Sequence, residues 1–136
     1  MKKALVLCTG NSCRSIMAEA LINHLAGAAY QAQSAGSTPA GYVHPLSIAT
    51  LRRHGIDVVA ARSKSWDELA TQHFDTVITV CDQAANEVCP VFPGKPNKLH
   101  WSIPDPAKAT GSDEDITQAF DNAYQLLKSH IEKELL

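Results

Sequence analysis

An α/β fold, with a four-stranded parallel sheet and helices on both of its faces, is what this sequence predicts from three observations. Short apolar runs alternate with helical patterns along all 136 residues. The run at 75–80, Asp-Thr-Val-Ile-Thr-Val, is β-branched nearly throughout, as suits a strand buried on both sides. The first strand passes through Cys8-Thr9-Gly10-Asn11-Ser12-Cys13-Arg14-Ser15 straight into a helix. No repeat, low-complexity segment or long linker interrupts the alternation, so residues 1–136 are read as one domain.

The elements follow in order. Residues 3–7 form the first strand, and 15–26 a helix with Met17, Leu21 and Leu25 at four-residue spacing facing the sheet. A second strand at 31–35 leads into Gly36-Ser37-Thr38-Pro39-Ala40-Gly41, a turn-rich loop expected to overhang the site. Pro45 opens the next helix and Gly55 ends it. The strand at 75–80 runs into Cys81, and residues 82–88 favour helix up to Pro90. A short fourth strand spans 98–101. Ser112 caps a last helix whose first turn carries Asp113, Glu114 and Asp115, and whose apolar stripe is Ile116, Phe120, Ala123 and Leu127.

Composition narrows the function. Hydrophobic residues make up 45% and charged residues 19%, with a net charge of −2, which argues against a general nucleic-acid surface. The apolar run at 4–8 is too short for a signal core or a membrane span, so a cytoplasmic protein with a small ligand and no membrane partner is expected. No exposed apolar stripe is evident, and a monomer is expected. Cys81 and Cys89 match no C-x2-C zinc pair, and the six histidines show no paired ligand spacing. No metal site is therefore expected.

The loop carries the chemistry. Six positions separate Cys8 from Arg14, enough for the backbone to curl round a tetrahedral anion. The N–H groups of Thr9, Gly10, Asn11, Ser12 and Cys13 would then converge with the Arg14 guanidinium on its oxygens. Cys8 would lie at the bottom, its thiol pKa lowered by those donors and by the helix dipole, as a nucleophile requires. Gly10 and Asn11 suit left-handed backbone, and Ser15 can donate its hydroxyl to the thiolate. The alternative for Cys8 alone is a buried cysteine ahead of a helix capped by Asn11 or Ser12. Cys13 is read as a packing residue that could also pair with Cys8 under oxidation.

Two further features complete the reading from residues. Asp105, stiffened between Pro104 and Pro106 just after the last strand, can protonate a departing oxygen; the alternative is a solvated aspartate in a proline turn. Cys81 ends a strand as Cys8 does, and sites in open α/β sheets gather at that edge. A helix between Cys81 and Cys89 would hold their α-carbons about 12 Å apart, beyond the roughly 7 Å limit of a disulfide. A bond between them therefore requires that short helix to unwind; otherwise they are two separately buried thiols.

The loop 8–15, the Ser34-Ala35-Gly36-Ser37 stretch, Val80-Cys81 with Cys89-Pro90, and His100-Trp101 followed by Asp105-Pro106 resemble the arsenate reductases built on the low-molecular-weight tyrosine phosphatase fold. The resemblance covers essentially the whole chain. It implies that Cys8 attacks arsenate while Arg14 and the loop amides clamp the oxygens, with phosphate or sulfate as mimics, and that Asp105 protonates the leaving oxygen. It further implies a Cys8-Cys81 disulfide, then a Cys81-Cys89 disulfide, re-reduced by thioredoxin or by glutathione with glutaredoxin, with no tightly bound cofactor. Two electrons reduce arsenic(V) to arsenic(III), and a dithiol closing to a disulfide supplies them.

Two departures from the family pattern matter. Members acting on phosphotyrosine usually carry tyrosines after the Asp-Pro pair, whereas Ala107-Lys108-Ala109 stands here. Some reductases bind potassium through matches to Asn11, Glu19 and Ser34 plus an aspartate near position 64; Lys64 stands there, and the resemblance therefore implies a lysine charge in place of a cation. The competing readings are a low-molecular-weight tyrosine phosphatase, working through a cysteinyl-phosphate, and a non-enzymatic thiol sensor for arsenite or zinc.

Overall fold

The structure is a computed structural model that describes residues 1–58, 61–81 and 92–136. Its strands are β1 (Lys2–Leu7), β2 (Tyr30–Ala35), β3 (Thr76–Thr79) and β4 (Asn97–His100). Its α-helices are α1 (Arg14–Leu25), α2 (Pro45–Arg53) and α3 (Asp113–Glu134), joined by 3-10 turns at Trp66–Leu69 and Pro106–Lys108. Each element expected within the described residues occurs, with ends displaced by a residue or two where terminal turns and strand ends fray. The helix expected at 82–88 and the residue Cys89 lie outside the described residues.

All four strands are parallel, in the order β2-β1-β3-β4. The chain leaves β1 towards one edge and returns to its other side with β3, so the direction of winding reverses between these two neighbours. A ligand crevice opens at such a reversal, beyond the strands' carboxyl ends. In register, Leu7 lies opposite Thr79, and Val80 N–H donates to Leu7 O at 3.0 Å. The residues that follow, Cys8 and Cys81, therefore emerge side by side.

Alternation along β1 divides the core. Ala4 and Val6 join Met17, Leu21 and Ile22 of α1, Leu51 of α2, and Phe120 and Leu127 of α3. Leu5 and Leu7 point the other way, into Val77, Leu69, Phe74 and Phe92. Among the described residues the three α-helices thus share one face, and the second is covered by the Trp66–Leu69 turn and the Phe74/Phe92 edge-to-face pair. Helix α1 is buried more broadly than one stripe: Ser15, Ile16 and Ala18 are enclosed as well, while Leu25 is only half-buried. It is wedged between the sheet and the other two helices, and each large apolar side chain enclosed there contributes about 1.5–3 kcal/mol.

Candidate active site

The segment between β1 and α1 closes into a cradle whose outer wall is hydrogen-bonded almost residue by residue. Thr38 and Ala40 N–H donate to the carbonyls of Thr9 and Gly10 at 3.0 and 2.9 Å, and His44 N–H to that of Ser12 at 3.0 Å. Side chains add to this, Ser63 Oγ on Gly10 O and Ser47 Oγ on Ser12 O. With those carbonyls engaged from outside, the loop amides are left for the interior, the arrangement an oxyanion needs. The 36–44 segment is therefore a strap behind the cradle. It does not line the cleft, contrary to the overhanging loop expected from its composition.

Asn11 fixes the curl. It alone among the described non-glycine residues has positive φ, 47°, and it is fully buried. Its Nδ2 donates to Ser15 Oγ at 2.8 Å and Ser34 Oγ at 3.0 Å, while its Oδ1 accepts from the Lys64 backbone N–H at 2.9 Å. Gly10, expected to share the left-handed conformation, does not adopt it, and a Cβ there would meet only ordinary contacts. The glycine that the cradle itself requires is Gly36, whose added Cβ would fall 2.4 Å from Thr9 O and 2.6 Å from Cys8 O.

The cleft above the cradle, about 230 Å³, is lined by Cys8 to Arg14 together with Asp105, Ala107 and Lys108. Arg14 is held by the Ile103 carbonyl, to which Nη1 donates at 2.9 Å, and Nη2 lies 3.6 Å from Asp105 Oδ2. Its buried Nε has no hydrogen-bond partner among the described residues, a donor awaiting an acceptor. Asp105 accepts from Ala107 N–H at 3.0 Å and so caps the Pro106–Lys108 turn. Lys108 also lines the cleft, a place that spacing alone does not give it; its position just past the Asp-Pro turn is the available signal.

Cys8, Cys13 and Cys81 are buried free thiols. Cys81 emerges beside Cys8 at the ends of adjacent strands, near enough to be the first influence on its proton, and Thr9 Oγ1 lies 3.7 Å from Cys81 Sγ. This contact corrects one expectation. The Cys81 thiol, and burial after it, hold the Cys8 pKa well above the ordinary thiol value, against the lowering pull of Arg14 and the Gly10 N–H. Cys13 is likewise pushed up, by burial first. Nor does Ser15 serve Cys8 in this state; its hydroxyl accepts from Asn11, and no bond to Cys8 occurs among the described contacts.

Beneath the loop, Glu19 and Lys64 face each other at 4.0 Å, with side chains 17% and 10% exposed. Burial pushes Glu19 up, opposed by Lys64 and Ser34; burial likewise pulls Lys64 down, opposed by Glu19. Ser34 Oγ donates to Glu19 Oε1 at 3.3 Å, linking the pair to Asn11. Among the described residues no group of three or more His, Cys, Asp or Glu side chains could hold a metal ion. No described helix is long and apolar enough to cross a membrane.

The family model for low molecular weight phosphotyrosine protein phosphatase matches residues 3–135. An arsenate reductase of Halalkalibacterium halodurans is 41% identical over 114 residues, which cover 84% of this chain and 81% of that protein. Among solved structures, an arsenate reductase in its phosphate-binding state superposes with a TM-score of 0.81 at 27% identity, covering 98% of this chain and 95% of the other. The thioredoxin-dependent arsenate reductase of Corynebacterium glutamicum superposes with a TM-score of 0.68 at 30% identity, over 98% of this chain and 63% of that one.

Proposed function

The chain belongs to the low molecular weight phosphotyrosine protein phosphatase family, and from that premise we propose that it is an arsenate reductase, turning arsenate into arsenite at Cys8. The observation that carries this reading is the second buried thiol, Cys81, set beside the first at the ends of adjacent strands. Hydrolysis of a phosphate ester needs one cysteine, a leaving-group acid and water. A reductase needs a second thiol within reach of the first.

Arsenate enters the cradle, its oxygens taken by the loop amides of Thr9 to Cys13 and by Arg14. Cys8 passes its proton to an arsenate oxygen as its sulfur bonds to arsenic; that As–O bond breaks, and Asp105 supplies the second proton so that the oxygen leaves as water. The Cys81 sulfur then attacks the Cys8 sulfur. The S–As bond breaks with its electron pair remaining on arsenic, which departs as arsenite, and a Cys8-Cys81 disulfide has formed. Cys89, outside the described residues, attacks Cys81 and frees Cys8, and an external dithiol reduces the Cys81-Cys89 disulfide. Thioredoxin is the donor that the Corynebacterium glutamicum relative's dependence supports, with glutathione and glutaredoxin as the second arm of the test. Work of this kind suits a monomer of one domain in a reducing cytoplasm.

Ala107 and Lys108 at the mouth of the cleft favour a small free anion over an aromatic phosphoester. The test is arsenate-dependent oxidation of NADPH coupled through thioredoxin and its reductase, or through glutathione, its reductase and glutaredoxin. Wild type is expected to turn over, and Cys8→Ser, Cys81→Ser and Cys89→Ser each to lose at least about 10²-fold. Hydrolysis of p-nitrophenyl phosphate unaffected by Cys81→Ser, with no arsenate-dependent oxidation by either donor, would overturn the reductase reading.

A further inference from the structure

The geometry beneath the loop assigns Lys64 a role of its own: we propose that its ammonium is a built-in counter-ion that holds Glu19 charged and thereby fixes the oxyanion cradle, in place of a bound potassium ion. The inference rests on the cradle's being an oxyanion site, and not on arsenic chemistry.

Potassium requires converging oxygens, and the residues here do not supply them. The position at which the family resemblance implies a carboxylate carries Lys64, whose ammonium lies 4.0 Å from Glu19 Oε1. One of the remaining oxygens, Asn11 Oδ1, already accepts the Lys64 backbone N–H at 2.9 Å. A cation placed among them would meet a positive charge. The chain thus brings its own cation, on a side chain only 10% exposed.

The charge acts at a distance through two hydrogen bonds and a fixed backbone turn. Glu19 accepts from Ser34 Oγ at 3.3 Å, Ser34 Oγ accepts from Asn11 Nδ2 at 3.0 Å, and Asn11 holds the left-handed turn of the loop. Asn11 Nδ2 can only donate and a carboxylate can only accept, so the Ser34 hydroxyl between them keeps a single orientation while Glu19 is charged. Burial already pushes Glu19 towards its protonated form. Without a cation beside it, the buried carboxylate loses its compensating charge, and a Glu19 that took a proton could donate to Ser34 Oγ and compete there with Asn11 Nδ2, loosening the residue that shapes the cradle. Glu19 also borders an open hollow of about 440 Å³ with Asn23, His24, Ile56 and Asp57, through which a solute cation can reach it once the lysine is gone.

Sulfate binding tests this without turnover, by calorimetry and by thermal unfolding at constant ionic strength in potassium, sodium or tetramethylammonium chloride. Wild type is expected to bind sulfate equally in all three. Lys64→Met should bind about tenfold or more weakly in tetramethylammonium and regain most of that loss in potassium, while Lys64→Arg stays within about threefold of wild type. Should Lys64→Met fail to fold without potassium, the double variant Lys64→Met with Glu19→Gln is expected to fold and to ignore potassium. A potassium response in wild type, unweakened sulfate binding by Lys64→Met in tetramethylammonium, a weakening that potassium does not repair, or a double variant that still responds to potassium would each overturn the proposal. Loss of arsenate reduction with this pattern intact would count against the enzymatic reading alone.

Discussion

Cys8 is guarded as well as poised. The largest influence on its proton is the Cys81 thiol, which raises its pKa, and burial adds to that. A raised pKa means less thiolate at a given pH, so the resting sulfur should be sluggish towards iodoacetamide at pH 7. Cys81→Ala removes that first influence and leaves Arg14 and the Gly10 amide pulling the other way. Alkylation of Cys8 at pH 7 should then quicken by about tenfold or more, a factor equal to one pH unit, whereas an unchanged rate would show that burial alone sets the value. Asp105 offers a separate residue-level test. Asp105→Asn keeps an acceptor for the Ala107 amide but cannot supply a proton, so single-turnover arsenite release should slow by about 10²-fold while sulfate binding does not weaken.

Among the elements, the strap at 36–44 contributes most to the site, because it occupies the outward carbonyls of the cradle. Gly36 is where it must approach most closely. Gly36→Ala would drive a methyl into the Thr9 and Cys8 carbonyls, so a loss of about 2–3 kcal/mol in urea unfolding is expected, with sulfate binding lost alongside it. An alanine variant of wild-type stability would mean that the strap can shift freely. The elements themselves were legible in the sequence, since Pro45, Gly55 and Ser112 mark ends that the structure keeps. The strap's side was not. Glycine, serine and proline reveal a turn-rich segment, but which backbone it bonds to depends on contacts between segments that no local pattern encodes.

At the scale of the whole molecule, the parallel order β2-β1-β3-β4 brings together three loops that are remote along the chain. The cradle after β1, Cys81 after β3 and Asp105 after β4 meet at one edge, which the strand signals and the rule for open α/β sheets made legible. The pairing of the Cys8 and Cys81 thiols, and the Lys64–Glu19 pair beneath the loop, follow from burial and register; their charges and proton positions could not be read from spacing. An anion that binds only the folded cradle must also stabilise the fold as a whole. Sulfate at about 100 times its Kd should add about 2.7 kcal/mol, seen as a rise in Tm, and Arg14→Ala should abolish the rise.

The two longest helices begin in opposite ways. Ser112 and Asp115 bond reciprocally across the start of α3, whose first turn also carries Asp113 and Glu114. Helix α1 starts at Arg14 with no side-chain cap and no acidic residue in its first turn. Its opening peptide dipoles are left uncompensated by the protein itself. The guest anion is then the terminal piece of that helix, and a tetrahedral oxyanion completes a secondary-structure element each time it arrives and leaves it unfinished each time it departs.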